Sequence, residues 1–274
     1  MSDPDATPLV AYQGEPGAFS DDAARLLLPG ARTRGFGTFD DAAAAVQSGE
    51  TSFALLPCEN SISGSVPRVY DLLWADEELA IVDAIVYRVV QNLIGIPGAT
   101  AAGLREVRSH PVALEQCRRF LGAHAHVRST IVADTAGAVR EIVRLGDLSI
   151  GAIASALAAE RYGAAILVPS IQDVDDNFTR FFLLAHGVAA HAERPRVPTR
   201  ACVALSLAHR PGALRDALAA LASEDLNLRT LVSRPSLEEP FTYRFYCEVE
   251  PVTKEALDAA LARVDGATRI LGHY

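Results

Sequence analysis

Three carboxylates, an amide, a hydroxyl and a guanidinium stand within the eight residues Asp173–Arg180, directly ahead of the apolar run Phe181–Leu184. Side chains of these kinds can hydrogen-bond, pair with and protonate an oxygen-rich small molecule. The run that follows reads as a buried strand. Asn177, Thr179 and Arg180 then lie where a loop enters a sheet, a frequent place for a ligand in open α/β folds. The plainer reading is a surface turn ahead of a core strand. A second polar group, Pro57–Ser65, leaves the short strand Phe53–Leu56 and places Glu59 and Asn60 at a strand end. A carboxyl and an amide there can recognise or protonate a substrate oxygen, or simply cap a following helix.

Other chemistry is set aside by what the chain lacks. His124 and His126 are one residue apart, and no histidine pair has zincin spacing. There is no phosphate-binding GxxxxGK, no Gly-x-Ser-x-Gly elbow and no calcium loop. Ser109 and His110 are neighbours and so point apart. Lys254 is the only lysine and falls in an expected surface helix, which argues against Schiff-base chemistry. Neither metal nor cofactor is called for.

The 274 residues suffice for two domains, and 50% hydrophobic with 22% charged residues is ordinary globular material. A net charge of −9 makes nucleic acid a poor partner. Most of that deficit lies ahead of residue 200. No apolar run is long enough for a membrane span, and the start of the chain is acidic rather than signal-like. Cys58, Cys117, Cys202 and Cys247 are far apart, as expected of reduced thiols in a cytoplasmic protein.

The elements that must position these groups alternate. Leu9–Tyr12 is an expected strand, and the glycines and proline of Gln13–Ser20 mark a tight turn into a helix running to Leu28. The start of that helix could bind an anion. The third glycine of a dinucleotide fingerprint is missing. A helix is expected over Asp40–Ser48, long strands within Leu79–Ile96, and a helix over Val112–Leu121 carrying Gln116. Strands at Val127–Ala133, Ser149–Ile153 and Ala165–Val168 then alternate with helices at Thr135–Leu145 and Ala154–Tyr162. This rhythm calls for a mostly parallel sheet, in two lobes around a cleft.

A polar, proline-bearing linker over 188–199 ends the pattern. Cys202–Leu207, the helix after Pro211–Gly212, Leu226–Ser233, Thr242–Glu250, a helix around Leu257–Val264 and Ala267–Tyr274 give βαββαβ, the ferredoxin-like order. Two helices on one sheet face leave other surface to be covered, so a homo-oligomer through this domain is expected.

Taken together, the motifs resemble those of prephenate dehydratases. They are Tyr12–Ser20, Pro57–Ser61, Ser109–Pro111 with Gln116–Cys117, and Asn177–Phe181; the tail resembles an ACT regulatory domain through Arg210–Leu214 and Ser233–Pro235. The resemblance covers roughly residues 8–274, with the motifs in family order. It implies an α/β fold: a two-lobed, periplasmic-binding-protein-like (type 2) catalytic domain over 8–187, its second lobe about 88–168, and an ACT domain over 200–274. It further implies the monofunctional enzyme, turning prephenate into phenylpyruvate, water and carbon dioxide in phenylalanine synthesis, cytoplasmic and without cofactor.

Carried over by motif, the active-site positions are Glu59, Asn60, Ser109, Gln116, Thr179 and Arg180. Thr179 is expected to donate to the departing hydroxyl, with Glu59 as the rival acid. Arg180 would hold a carboxylate or, structurally, pair with Asp175 or Asp176. Asn60, Ser109 and Gln116 would fix the substrate. L-Phenylalanine would bind at Gly212, Ala213 and Leu214 and at the turn Ser233, Arg234 and Pro235, in a dimer or tetramer formed through ACT domains. Val232 stands where the family's regulatory turn usually has glutamate. The rival readings are arogenate dehydratase, with the same chemistry on the aminated substrate, and a non-catalytic amino-acid sensor.

Overall fold

The glycines and proline after the first apolar run produce a sharp strand-to-helix turn. Strand β1 (Leu9–Gln13) leads through Gly14 and Gly17, at φ +118° and +92°, into helix α1 (Phe19–Leu27). A Cβ on Gly17 would lie 2.8 Å from the Ala158 backbone, so only glycine permits this approach. The computed structural model describes residues 7–187, 198–236 and 240–274, and the expected linker therefore lies almost wholly outside the described residues. Contacts divide the chain into a larger unit, Met1–Gly64 with Ile85–Phe181, and a smaller one, Ser65–Ala84 with Phe182–Tyr274.

In the first lobe of the larger unit, β2 (Arg32–Phe36), α2 (Phe39–Gln47) and β3 (Phe53–Asn60) follow, with β1 parallel to both β2 and β3. The polar, arginine-bearing β2 gave no apolar signal. Thr38 caps α2 by accepting from Asp41 N–H at 3.1 Å, and its buried alanines lie flat against the sheet. At α1, by contrast, the buried Asp21 carboxylate accepts from Gly17 N–H at 2.9 Å and from Arg25 at 2.8 Å. The anion that the sequence invites to this helix start is the chain's own.

The chain continues as β4 (Gly64–Ser65), α3 (Pro67–Ala75), β5 (Leu79–Arg88) and β6 (Asn92–Gly95). Thus Leu79–Ile96 is two strands separated at Val89–Gln91, and α3 is the helix expected, without bounds, after the polar loop Pro57–Ser65. Next come β7 (Glu106–Ser109), α4 (Pro111–Gln116) and α5 (Arg118–Ala123). The single helix expected over Val112–Leu121 breaks at Cys117, whose φ −118° and ψ 26° are not helical. Then follow β8 (Arg128–Ile131), α6 (Thr135–Leu145), β9 (Ile150–Ala154), α7 (Ala156–Tyr162) and β10 (Ala165–Val168). These strands form a second sheet, ordered β10-β6-β9-β7-β8. β7, β8 and β9 are parallel, whereas β6 runs antiparallel to both its neighbours.

The second lobe packs Ile94, Val139, Ile142 and Ala152 into one apolar cluster, joined by Tyr12 and Ala18 from the first lobe. Fully burying such an aliphatic side chain contributes about 1.5–3 kcal/mol. The two lobes are therefore clamped together beside the Gly14–Gly17 turn.

β11 (Phe178–His186) belongs to the larger unit through Phe181. The smaller unit then runs β12 (Ala201–Leu207), α8 (Ala213–Ala222), β13 (Asn227–Pro235), β14 (Tyr243–Glu250), α9 (Lys254–Leu261) and β15 (Gly266–His273). The order β13-β14-β12-β15, all antiparallel, is ferredoxin-like. Ala217, Leu221, Leu257 and Ala260 of its helices cover Val203, Leu205, Cys247 and Val249 of its sheet. Among the described residues no helix is long and apolar enough to cross a membrane. None of their His, Cys, Asp and Glu residues cluster so as to hold a metal.

Candidate active site

Asn60 is the hub of the polar groups. Its Oδ1 accepts from the backbone N–H groups of Ile62 and Ser63 at 3.0 and 2.9 Å, and from the Ser63 hydroxyl at 3.1 Å. With the oxygen so fixed, Nδ2 must face the other way. It donates to Asn177 Oδ1 at 2.8 Å, Phe178 O at 3.1 Å and Thr179 Oγ1 at 3.0 Å. The end of β3 and the start of β11 are thereby tied together, with the Thr179 oxygen as acceptor and, among the described residues, no acceptor for its hydroxyl proton. Ser61 stitches the same seam, its hydroxyl donating to Asp176 O at 3.1 Å and accepting from Phe178 N–H at 3.0 Å.

Glu59 and Arg180 meet across this seam as an ion pair, with Arg180 mostly buried. The structural partner expected for Arg180 was Asp175 or Asp176; the strand register supplies Glu59 instead. Cys58 Sγ donates to the Arg180 carbonyl at 3.3 Å. Glu59 and Asn60 close β3, at the strand end expected of them, and Thr179 and Arg180, expected where a loop enters the sheet, are already on β11; strands hold all four more rigidly than a loop would.

Beside the seam is a cavity of about 380 Å³, walled by Ile62, Ser63, Gln116, Arg118, Gln172 and Asn177 among others. Gln116 is placed here by the break at Cys117. Its Oε1 accepts from Gln91 Nε2 at 3.1 Å and its backbone carbonyl from Asp173 N–H at 2.6 Å. Its amide N–H groups are therefore turned from Gln91. Arg118 adds the positive charge that the sequence did not single out. The cavity wall also carries the carboxylates Glu115 and Asp173.

Ser109 is placed differently. It is fully buried at the end of β7 and its hydroxyl donates to Ile153 O at 2.6 Å, away from the Asn60 hub; like Glu59, Asn60, Thr179 and Arg180, it is not among the residues lining this cavity, and Gln116 is the one predicted catalytic residue that is. Burial pushes the thiol of Cys117, next to Gln116 in the chain, up to about 12, which leaves it an inert space-filler.

In the smaller unit, Gly212 adopts φ +82° as N-cap of α8, followed by Ala213 and Leu214. Ser233, Arg234 and Pro235 end β13. The Arg234 guanidinium is bound by both carboxylate oxygens of Asp71 on α3, at 3.1 and 2.7 Å, a pairing that raises its pKa.

A two-lobed α/β unit carrying strand-mounted polar groups beside a cavity, followed by a ferredoxin-like fold, has the periplasmic-binding-protein-like architecture with a candidate small-molecule site. The chain belongs to the prephenate dehydratase family, whose model matches residues 10–188. It is 36% identical over 272 residues to the bifunctional N-acyl-homoserine lactone acylase/prephenate dehydratase of Komagataeibacter europaeus, covering 97% of this chain and 95% of that one. It is 37% identical over 283 residues to arogenate dehydratase/prephenate dehydratase 2, chloroplastic, of Arabidopsis thaliana, covering 97% and 72%. The crystal structure of prephenate dehydratase from Arthrobacter aurescens in complex with L-Phe superposes with a TM-score of 0.87 at 27% identity, covering 97% and 89%.

Proposed function

We propose that this protein is a prephenate dehydratase that converts prephenate to phenylpyruvate, water and carbon dioxide in phenylalanine synthesis in the cytoplasm. The observation that carries the reading is the Asn60 hub, which holds the Thr179 hydroxyl with its oxygen satisfied and its proton available. Prephenate gains an aromatic ring as hydroxyl and carboxylate depart, so little is asked of the protein beyond positioning and a proton. Thr179 donates that proton to the leaving hydroxyl. Glu59, engaged by Arg180, serves in this reading to hold the guanidinium in place. Gln116 and Arg118 bind the substrate's oxygens, a service that orientation alone makes worth several powers of ten in rate. The catalytic region takes in residues 8–187 and an ACT domain 200–274, through which L-phenylalanine binds and the chain forms a homo-oligomer.

The test is the purified protein with prephenate, following phenylpyruvate absorbance with and without L-phenylalanine. No phenylpyruvate above the buffer rate overturns the reading. A second reading, dehydration of arogenate, is favoured by Glu115 and Asp173, which could pair with a substrate ammonium. Comparing kcat/KM on the two substrates separates them.

A further inference from the structure

One group beside the cavity is unspent. Asn177 is fully buried and lines the cavity, yet among the described residues its Nδ2 has no hydrogen-bond partner. The amide cannot turn over to mend this. Two backbone N–H groups hold Asn60 Oδ1, so Asn60 presents N–H to Asn177, and Asn177 must answer with its oxygen at 2.8 Å. Its N–H groups are forced to the other side. A buried donor without an acceptor costs the free protein stability, and such a cost is recovered when a guest supplies the acceptor.

We propose that Asn177 is a substrate-binding residue, its locked amide donating to an oxygen of the molecule that enters the cavity. The assignment rests on the function proposed above and adds to it a donor of fixed polarity. Polarity matters because the same amide cannot become an acceptor without breaking the Asn60 hub. An oxygen, as carboxylate or carbonyl, fits opposite it, and an ammonium does not. The wall thus contains groups of both preferences, with Asn177 set for oxygen and Glu115 open to a cation.

The test is Asn177→Asp, which keeps the shape and the oxygen that accepts from Asn60 but replaces the donor by an acceptor. Steady-state kinetics with prephenate should show kcat/KM lower by about 10–100-fold, the worth of a hydrogen bond to a charged oxygen. Because Asn177 is fully buried, the introduced carboxylate lowers the thermal midpoint of the free protein whatever the residue's role, so the deciding readout is how the kinetic loss divides: a binding donor raises KM for prephenate with kcat within a few-fold of wild type. A loss confined to kcat, as a disturbed Thr179 would give, overturns the assignment. Wild-type kinetics in the variant also overturn it, and leave the proposed function standing. Failure of the wild-type protein to turn over prephenate removes the function and this assignment with it.

Discussion

Motif residues gather in two places, and those places treat their polar groups in opposite ways. Around Asn60 in the larger unit, backbone groups lock the amide, and what remains unspent is a threonine proton and an asparagine N–H. Around Arg234 in the smaller unit, that guanidinium is already closed on Asp71 by two hydrogen bonds. A region with unspent donors is set for a guest. A region whose cation is paired must exchange partners before it can hold one. Turnover should therefore hang on the first region, and any response to an effector on the pair in the second.

The largest effect is expected from Asn60→Ala. It unseats Thr179 and removes the partner of Asn177 together, so kcat/KM on prephenate should fall by more than about 10³-fold. It also strands the buried Asn177 oxygen, at a cost of roughly 2–3 kcal/mol in chemical unfolding. Near-wild-type activity would mean that the hub does not organise the chemistry. Thr179→Val comes next. The shape stays and the proton goes, so kcat should drop by about 10²–10³-fold with little change in KM. A KM effect alone would make the threonine a binding group and not the donor.

Asp71→Asn tests the second region. The pair is partly exposed, so losing its charge should cost only about 1 kcal/mol of stability. If L-phenylalanine binds by taking Arg234 from Asp71, the variant should bind it several-fold more tightly by calorimetry. Equal affinity in both proteins would show that the pair is not exchanged.

The same contrast explains what the sequence could say in advance. The elements with a clear apolar period, among them β1, α2, α6 and the whole βαββαβ tail, sit where the pattern puts them. β2 is hidden because Arg32–Phe36 carries arginines on an edge. The single helix drawn through Cys117 fails at that residue, which is buried with a non-helical backbone that the periodicity does not reveal. Glu59, Asn60, Gln116, Thr179 and Arg180 are legible as chemistry. That Ser109 spends its hydroxyl on Ile153 O is not, since the two are 44 residues apart in the chain. Asn177 stood in the motif, but its importance is a matter of amide direction, which is fixed by backbone groups that composition does not reveal. Arg118 gave no signal beyond being one arginine among many.

The smallest effect concerns acid, and it separates the regions by stability rather than by activity. His273, on β15 of the smaller unit, has its pKa lowered from the ordinary 6.5, chiefly because burial penalises the imidazolium, with Asp258 acting in the opposite sense and Lys254 in the same. The unfolded chain therefore binds this proton more readily than the folded one. Stability is fully present above pH 6.5, declines as the pH falls below it, and stops declining from this source once the folded imidazole has also titrated. His273→Gln should flatten the dependence of chemical-denaturation midpoint on pH between about 7 and 5, with little change above pH 7. Because the Asn60 hub contains no titrating group of its own, the variant should leave the pH profile of kcat unaltered. A shift in that profile with His273→Gln would show that the two regions are energetically coupled through this strand, and would replace the contrast between them with a single network.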